Sequence, residues 1–527
     1  MAELSRVDTT PGGAFRKLTW NRDTAGSWCV FLAIFIFFRI PALINAGDVN
    51  SDGAITGLQA RHMLRGEWSW LHWGRVYLTS LDSLMAAPLF AIFGASAFTL
   101  MLATLCGQLT GASLVYAVVR RRVGRWAGIV PMLPIVLATM AFNIYLFFDI
   151  RQWCLATALA GFWLLDGASA SRYPLPRYAA GVFVGMMAMF IDLFAVQFIA
   201  GLGVFAFLCA LDEHRGTLQL LKRLAVLGAA AVAAMATISS LRALAHVSTE
   251  RASWSIDHIP GNSRLLFDTC LPWVIGTKVF YVGNEPRNEL WNPPAFFSAV
   301  QSLGALVLVA GTVFGGVSLC MRRMPWKVRR TGVGGAVVAL TALAGFLVTA
   351  TATDIYGARL LAPMLLTLPF ALTPAAFYLR GWRFPVAFSP YIVSAAVACW
   401  VSYGTFVRGI LPVRVPRGTA AEEEDVAKAL RERGVHYAGA HYWVAYRLTF
   451  LYGEDPIVVP VDSEDRYPPY RAAFDVASKT EPTAYIFHPW WPYLSLADYE
   501  QRFRQSGTRF EKLKIHDFTV FVVNPKG

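Results

Sequence analysis

Apolar residues in this chain gather into blocks of about 17–25, each long enough to cross roughly 30 Å of hydrocarbon as a helix. No other feature constrains the fold as strongly, because backbone polar groups inside a bilayer must be satisfied within the chain itself. The blocks fall at 27–46, 98–118, 126–143, 153–168, 178–191, 193–210, 224–245, 296–320, 331–351, 360–379 and 384–408, with the long run 178–210 divided at Asp192. Segment 83–96 is too short to span and reads as an interfacial helix or an extension of the next one. The expected fold is a polytopic α-helical membrane protein of about eleven transmembrane helices. Charged residues make up only 15% of the chain, against about 25% in soluble domains.

The net charge of +13 does not point to nucleic acid, because the basic residues sit in short loops between spans. Arg16 and Lys17, Arg120 to Arg122, Arg172 and Arg177, Lys222 and Arg223, Arg322 to Arg330, and Arg380 and Arg383 occupy alternate loops. That is the distribution expected of the cytoplasmic side. The first apolar segment is long and lacks a small-residue cleavage pattern, so it reads as a span and not as a removed signal. The predicted organisation is a cytoplasmic tail (1–26), a multi-span domain (27–410) with outer loops 47–97 and 246–295, and an extracytoplasmic domain (411–527). The membrane would be the plasma (inner) membrane.

The seven cysteines form neither a disulfide framework nor a metal spacing. From about residue 412 helix-length apolar runs stop. An amphipathic helix opens at Glu422, and short β-type runs (457–461, 484–488, 518–523) alternate with helical stretches (442–452, 470–479, 496–505), which predicts a small α/β domain. It has no glycine-rich phosphate loop and reads as an accessory or docking domain.

Chemistry is expected in the outer loops. After the first span comes Gly47-Asp48-Val49-Asn50-Ser51-Asp52-Gly53-Ala54-Ile55. Carboxylates where a chain leaves the membrane usually have a task or a partner. Asp52 precedes a run with helical apolar spacing and could be its N-cap. Asp48, Asn50 and Asp52 also match the first half of a calcium-binding EF-hand loop, although Gln59 replaces the closing Glu, so a divalent cation is a further reading of this loop.

The stretch Ser51-Asp52-Gly53-Ala54-Ile55-Thr56-Gly57-Leu58-Gln59-Ala60-Arg61-His62-Met63-Leu64-Arg65-Gly66-Glu67 resembles the first outer loop of GT-C class membrane glycosyltransferases. The likeness is to the protein O-mannosyltransferase and aminoarabinose transferase superfamily (glycosyltransferase family 39-like). Its members open with Asp-Glu-Ala and continue with an Ala-Arg-x-(Met/Ile)-Leu-x-Gly-(Glu/Asp) helix. The run from Trp73 through Tyr77, Ser80, Leu81 and Asp82 to Phe93-Gly94 resembles the continuation. The resemblance implies sugar transfer from a polyprenyl-phosphate donor to an acceptor hydroxyl outside the cytoplasm, the acceptor being a glycan, lipid or protein. It puts the catalytic base on Asp52 and a second acid on Asp149. The family's Glu is replaced by Gly53, a departure for which Asp48 could compensate.

A carboxylate can take the proton of an acceptor hydroxyl, and a departing lipid phosphate needs guanidinium or ammonium donors. Candidates for binding are Arg151, Arg359, Arg61, Tyr77, Asp82 and Asp192, with Arg75, Arg251, Arg264 and Lys278 as further outer cations. Arg39 could pair with Asp192 or snorkel. His62, His72, His246 and His258 lack ligand spacing and read as surface or packing residues. The Trp- and Asn-rich loop 247–295 suits sugars or a membrane interface equally. Two other classes stay open: a transporter or flippase of lipid-linked sugars, and a non-catalytic envelope assembly protein.

Overall fold

A computed structural model describes residues 22–44, 46–137, 151–211, 216–245, 254–279, 291–407, 420–489 and 494–525. Its helices in chain order are α1 (Arg22–Phe37), α2 (Ile40–Ile44), α3 (Ser51–Leu64), α4 (Leu81–Phe93), α5 (Ala97–Val123), α6 (Leu133–Val136), α7 (Gln152–Asp166), α8 (Pro174–Ile191), α9 (Val196–Leu211), α10 (Thr217–Leu244), α11 (Ala295–Val317), α12 (Trp326–Val348), α13 (Ala362–Tyr378) and α14 (Ser389–Val407). Among the described residues seven helical segments are long and apolar enough to cross a membrane: 97–123, 174–191, 193–211, 217–244, 295–320, 326–348 and 355–378. Most of the other expected spans are present as shorter apolar helices.

The first of these breaks for a visible reason. The α1 backbone turns at Phe38–Arg39, and Arg39 is fully buried. Its guanidinium donates to Gln108 Oε1 (3.3 Å), Val136 O (3.1 Å) and Ile135 O (2.9 Å). The last carbonyls of a short helix lack intrahelical partners, and Arg39 supplies them at α6. It therefore neither snorkels nor pairs with Asp192.

Small residues set the closest approaches in the bundle. A Cβ at Gly161 of α7 would lie 2.7 Å from Gly185 Cα of α8, so these backbones touch, as small-residue packing in membranes allows. At one end Asp166 of α7 pairs with Arg122, with Arg121 (3.4 Å) and with Arg330 (3.2 Å), the last fully buried in α12. Arg330, expected in a loop, is inside because α12 starts at Trp326.

The C-terminal domain adds α15 (Ala420–Arg431), α16 (Tyr442–Leu451), α17 (Pro468–Thr480) and α18 (Leu496–Gln505), with strands β1 (Tyr437–Ala440), β2 (Ile457–Pro460), β3 (Thr483–Phe487), β4 (Phe510–Ile515) and β5 (Phe518–Val523). The sheet order is β2-β1-β3-β5-β4, parallel across β2-β1-β3 and antiparallel across β3-β5-β4. Its helix α16 lies along α3. Gly57 makes room for Phe450, since a Cβ there would sit 2.5 Å from the ring. Beside it Arg447 and Glu423, both fully buried, form an ion pair (2.7 Å), and Arg447 also donates to Val49 O (2.7 Å).

Candidate functional site

Helix α3 begins where the sequence changes from turn formers to a helical run. Its N-cap is Asn50, whose Oδ1 accepts from Gly53 N at 2.8 Å. Asp52 is therefore not the cap; it sits inside the first turn with its side chain free for another contact. The calcium-loop reading fails on the same geometry. Residues 51–59, which would have to wrap an ion, are regular helix, and Asn50's oxygen is engaged by the backbone.

Asp52 Oδ1 accepts from the Tyr442 hydroxyl at 2.5 Å. The phenol oxygen in turn accepts from Arg466 Nε at 3.3 Å, and Arg466 also donates to Gly74 O at 2.6 Å. Gly74 has φ +65°, and a Cβ there would run into the backbone and aliphatic stem of Arg466; the glycine lets that residue lie close. Burial opposes charge on Arg466, but the Tyr442 oxygen, Asp52 and Tyr77 outweigh it and raise its pKa. The Tyr442 hydroxyl is pushed up by burial and by the Asp52 charge, so it stays a neutral donor. Oδ2 of Asp52 makes no hydrogen bond among the described residues.

His72, 3% exposed, lies underneath, with Nε2 3.3 Å from Thr56 Oγ1. Burial drives its pKa down to about 4 against the Asp52 charge, so it is a neutral packing imidazole at ordinary pH. Arg75 and Arg466 both act on it electrostatically, and Arg75 stands 5.8 Å from the Tyr77 ring.

Next to Tyr77, Leu78 forms a β-bridge with Asp192, and Thr79 N donates to Ile191 O (2.8 Å). Asp192 is 1% exposed; Arg151 Nε donates to its Oδ2 at 2.5 Å, and its Oδ1 accepts from Phe194 N. The sequence placed a break at Asp192, and the chain does turn there. Asp82 is buried in the first turn of α4, where the neighbouring Ser83 hydroxyl donates to Gln59 (3.0 Å). Tyr77, Asp82, Arg151 and Asp192 thus share the end of the bundle that carries Asp52.

Arg61 is used differently. It donates to Phe450 O (3.3 Å) and lies 3.6 Å from Glu454, so it docks the C-terminal domain. His62 is no surface residue. Its Nδ1 is 2.8 Å from Glu67 Oε2 and its Nε2 is 2.7 Å from Glu454 Oε1. Burial alone would lower its pKa, but the hydrogen bonds to Glu454 and Glu67 prevail and hold it above 6.5. Glu454 also accepts from Tyr470 (2.6 Å) and pairs with Arg65 (2.8 Å). Burial works against the carboxylate, yet His62, Tyr470 and Arg65 bring its pKa to about 2.

Arg359 sits in the 3-10 segment Ile355–Leu361, against 265–274 and α12. Asp149, Arg251 and His246 lie outside the described residues, as does the side chain of Asp48, whose backbone ends the turn Ala46–Asp48. In the loop 247–295, Asn262 caps the end of α12 through three carbonyls (2.8–3.1 Å) and Trp273 is 1% exposed; both are packing residues.

Tyr442, Arg466 and Glu454 were missed by sequence reasoning. All lie about four hundred positions from α3, and the only signal was a tail too polar and aromatic to be a mere appendage.

These features define a polytopic helical membrane protein with a small α/β domain seated on its first loop. No protein-family model matches the chain, and no curated protein matches it either. Among solved structures it is similar to ArnT from Cupriavidus metallidurans bound to undecaprenyl phosphate, with 13% identity and a TM-score of 0.47 over 94% of this chain and 98% of that one. It is also similar to the Archaeoglobus fulgidus oligosaccharyltransferase in the apo form, with 11% identity and a TM-score of 0.48 over 90% of this chain and 70% of that one. Likenesses of this size say nothing about chemistry, which has to come from the residues of this chain.

Proposed function

We propose that this protein transfers a sugar from a polyprenyl-phosphate-linked donor to an acceptor hydroxyl on the extracytoplasmic face of the plasma membrane, with Asp52 as general base. The observation that carries the proposal is the state of Asp52: one carboxylate oxygen is held by Tyr442, the other is open, and the guanidinium of Arg466 is one side chain away. The acceptor is a glycan, lipid or protein carrying a hydroxyl.

In the reaction Oδ2 takes the acceptor proton as the acceptor oxygen bonds to the anomeric carbon. The bond from that carbon to the phosphate oxygen breaks, and its electron pair leaves on the lipid phosphate. Arg466 and Arg75 are the cations to which that phosphate would turn, since charge-assisted contacts to phosphate are among the stronger hydrogen bonds. Arg151 holds Asp192 and thereby the Leu78 edge that carries Tyr77. Asp149 and Asp48 remain proposed supporting acids. The outward orientation rests on the alternate placement of basic loops.

The test compares envelope glycans and glycolipids by mass spectrometry in cells carrying the wild-type gene, the Asp52→Asn variant or no gene. A sugar present only with the wild type is expected, and the variant should slow its appearance by about 10²–10⁴-fold, the range for a lost general base. Unchanged product with Asp52→Asn at equal membrane levels removes Asp52 as the base. If deleting the gene alters no glycan but leaves a lipid-linked sugar stranded on one leaflet, the protein is a flippase.

A further inference from the structure

The C-terminal domain, an accessory module by its sequence, reaches into the Asp52 site with one side chain whose backbone is fixed from both sides. Tyr442 is the first residue of α16. Its N–H donates to Asp462 Oδ1 at 2.9 Å, and Asp462 is held by His441 Nε2 at 3.0 Å. Its carbonyl accepts from the Ser51 hydroxyl at 2.7 Å. Ser51 is fully buried and precedes Asp52. The phenol then closes a ring of contacts by donating to Asp52 Oδ1, while Arg466 donates to the phenol oxygen from Gly74's side.

A carboxylate in an exposed loop rotates between equivalent oxygens; here one oxygen is tied and the rotation is lost. An aligned base is worth more than a mobile one because the reacting geometry is prepaid. The Tyr442 ring makes T-shaped contacts with Trp443 (5.1 Å) and Tyr446 (5.7 Å), so the hydroxyl has little freedom to leave. Phenylalanine would keep that packing and lose only the hydroxyl's two hydrogen bonds, the one to Asp52 and the longer one from Arg466.

We propose that Tyr442 is a positioning residue of the sugar-transfer reaction: its hydroxyl fixes Oδ1 of Asp52 so that Oδ2 alone faces the acceptor, which makes the C-terminal domain part of the active site. This rests on Asp52 being the base. Tyr442 itself touches no reacting atom, and the proton still travels from acceptor to Asp52.

The test uses the full-length protein in detergent micelles. The donor is the total polyprenyl-phosphate sugar extracted from host membranes, and the acceptor is membrane from the deletion strain. Donor concentration is varied for wild type, Tyr442→Phe, Ser51→Ala, Tyr499→Phe and Asp52→Asn. Tyr442→Phe is expected to lower the maximal rate about ten- to hundredfold, the size of one hydrogen bond to a charged group, with the apparent KM for donor within about threefold. Ser51→Ala, which frees the Tyr442 carbonyl, should show a smaller loss of the same kind. Tyr499→Phe, in α18 of the same domain and packed on Tyr485 and Phe487 away from Asp52, should keep the wild-type rate. Wild-type rate in Tyr442→Phe with inactive Asp52→Asn overturns the positioning role and leaves the base assignment standing. An active Asp52→Asn overturns both. Equal losses in Tyr442→Phe and Tyr499→Phe, with a lowered melting midpoint, reduce Tyr442 to a docking residue. Should Tyr442→Phe fail to fold, the rate of Ser51→Ala decides: a loss without a KM change supports the proposal, and no loss refutes it.

Discussion

Replacing Glu423 by Gln should loosen the C-terminal domain more than any surface change can. Glu423 and Arg447 have no exposed side-chain surface, and three of their contacts are short: Nε to Oε1 (3.0 Å), Nε to Oε2 (2.7 Å) and Nη1 to Val49 O (2.7 Å). Gln keeps the shape but removes the charge, so the guanidinium is left buried against a carbonyl and an amide. Breaking one partner of such a pair costs about 3–5 kcal/mol, a large share of a total stability of roughly 5–15 kcal/mol. For a domain of roughly 100 residues each kcal/mol moves the melting midpoint by about 4–8 °C, so a drop of at least about 12 °C is expected. The assay is thermal unfolding of the purified full chain, followed through release of the C-terminal domain by limited proteolysis. Sugar transfer should fall with it, because Val49 precedes the Asn50 cap of α3. The double variant Glu423→Met with Arg447→Met should recover most of the loss, since well-packed apolar replacements of a buried pair are often neutral. A Glu423→Gln protein that melts within about 2 °C of wild type would refute the reasoning, for a buried unpaired guanidinium cannot be that cheap.

Gly57→Val should also undock the domain, because its Cβ would stand 2.5 Å from the Phe450 ring; overpacking of about 1–3 kcal/mol is expected in the same melting assay, and Phe450→Ala in the same chain should relieve part of it. The seam at His62 and Glu454 gives a pH window. His62 is raised above 6.5, so its contribution is full below 6.5 and fades as pH climbs through the raised value. Glu454 is lowered from 4.5 to about 2, so its contribution is full above 4.5 and fades as pH falls toward 2. Docking should therefore resist proteolysis best from about pH 4.5 to 6.5, with the alkaline decline abolished in His62→Gln and the acid decline reduced in Glu454→Gln, where Glu67 still titrates against His62 and Tyr467; a flat profile in the wild type would sink this account.

The spans were legible because burial in lipid demands long apolar runs, and the break at Asp192 was legible because a lone carboxylate interrupts one. The tail helices at 442, 470 and 496 and three of its strands were legible from alternation. β1 was not: Tyr437-Ala438-Gly439-Ala440 has no β-branched side chain, and it is a strand because β2 and β3 flank it. β4, with Glu511, Lys512 and Lys514, reads as a charged loop and is an edge strand protected by those charges. Asp52 could be nominated from its loop, but its partners could not, since no local pattern tells that position 442 or 466 returns to position 52. Asp52 was open as the cap of α3, and Asn50 takes that place; both are good capping residues, and only the backbone chooses between them.

α3 has no amphipathic stripe, and its burial explains why. Nearly every residue from Ser51 to Met63 is covered, by α4 and α5 on one side and α16 on the other. A helix covered all round must satisfy each of its polar groups or lose stability. Ser51 donates to Tyr442 O, Thr56 meets His72, Gln59 bridges Leu71 and Ser83, and His62 is held between two carboxylates. Arg61 reaches Phe450 O, close to Glu454. The helix rises about 1.5 Å per residue, so this wall of contacts runs roughly 15 Å from Asp52 to His62. Asp52 departs from the pattern in one respect only, which is that Oδ2 has no partner among the described residues. Asp52 is half-buried and Oδ2 is not among the buried unpartnered atoms, so that oxygen is reachable from solvent, the side from which the proposed acceptor hydroxyl would come.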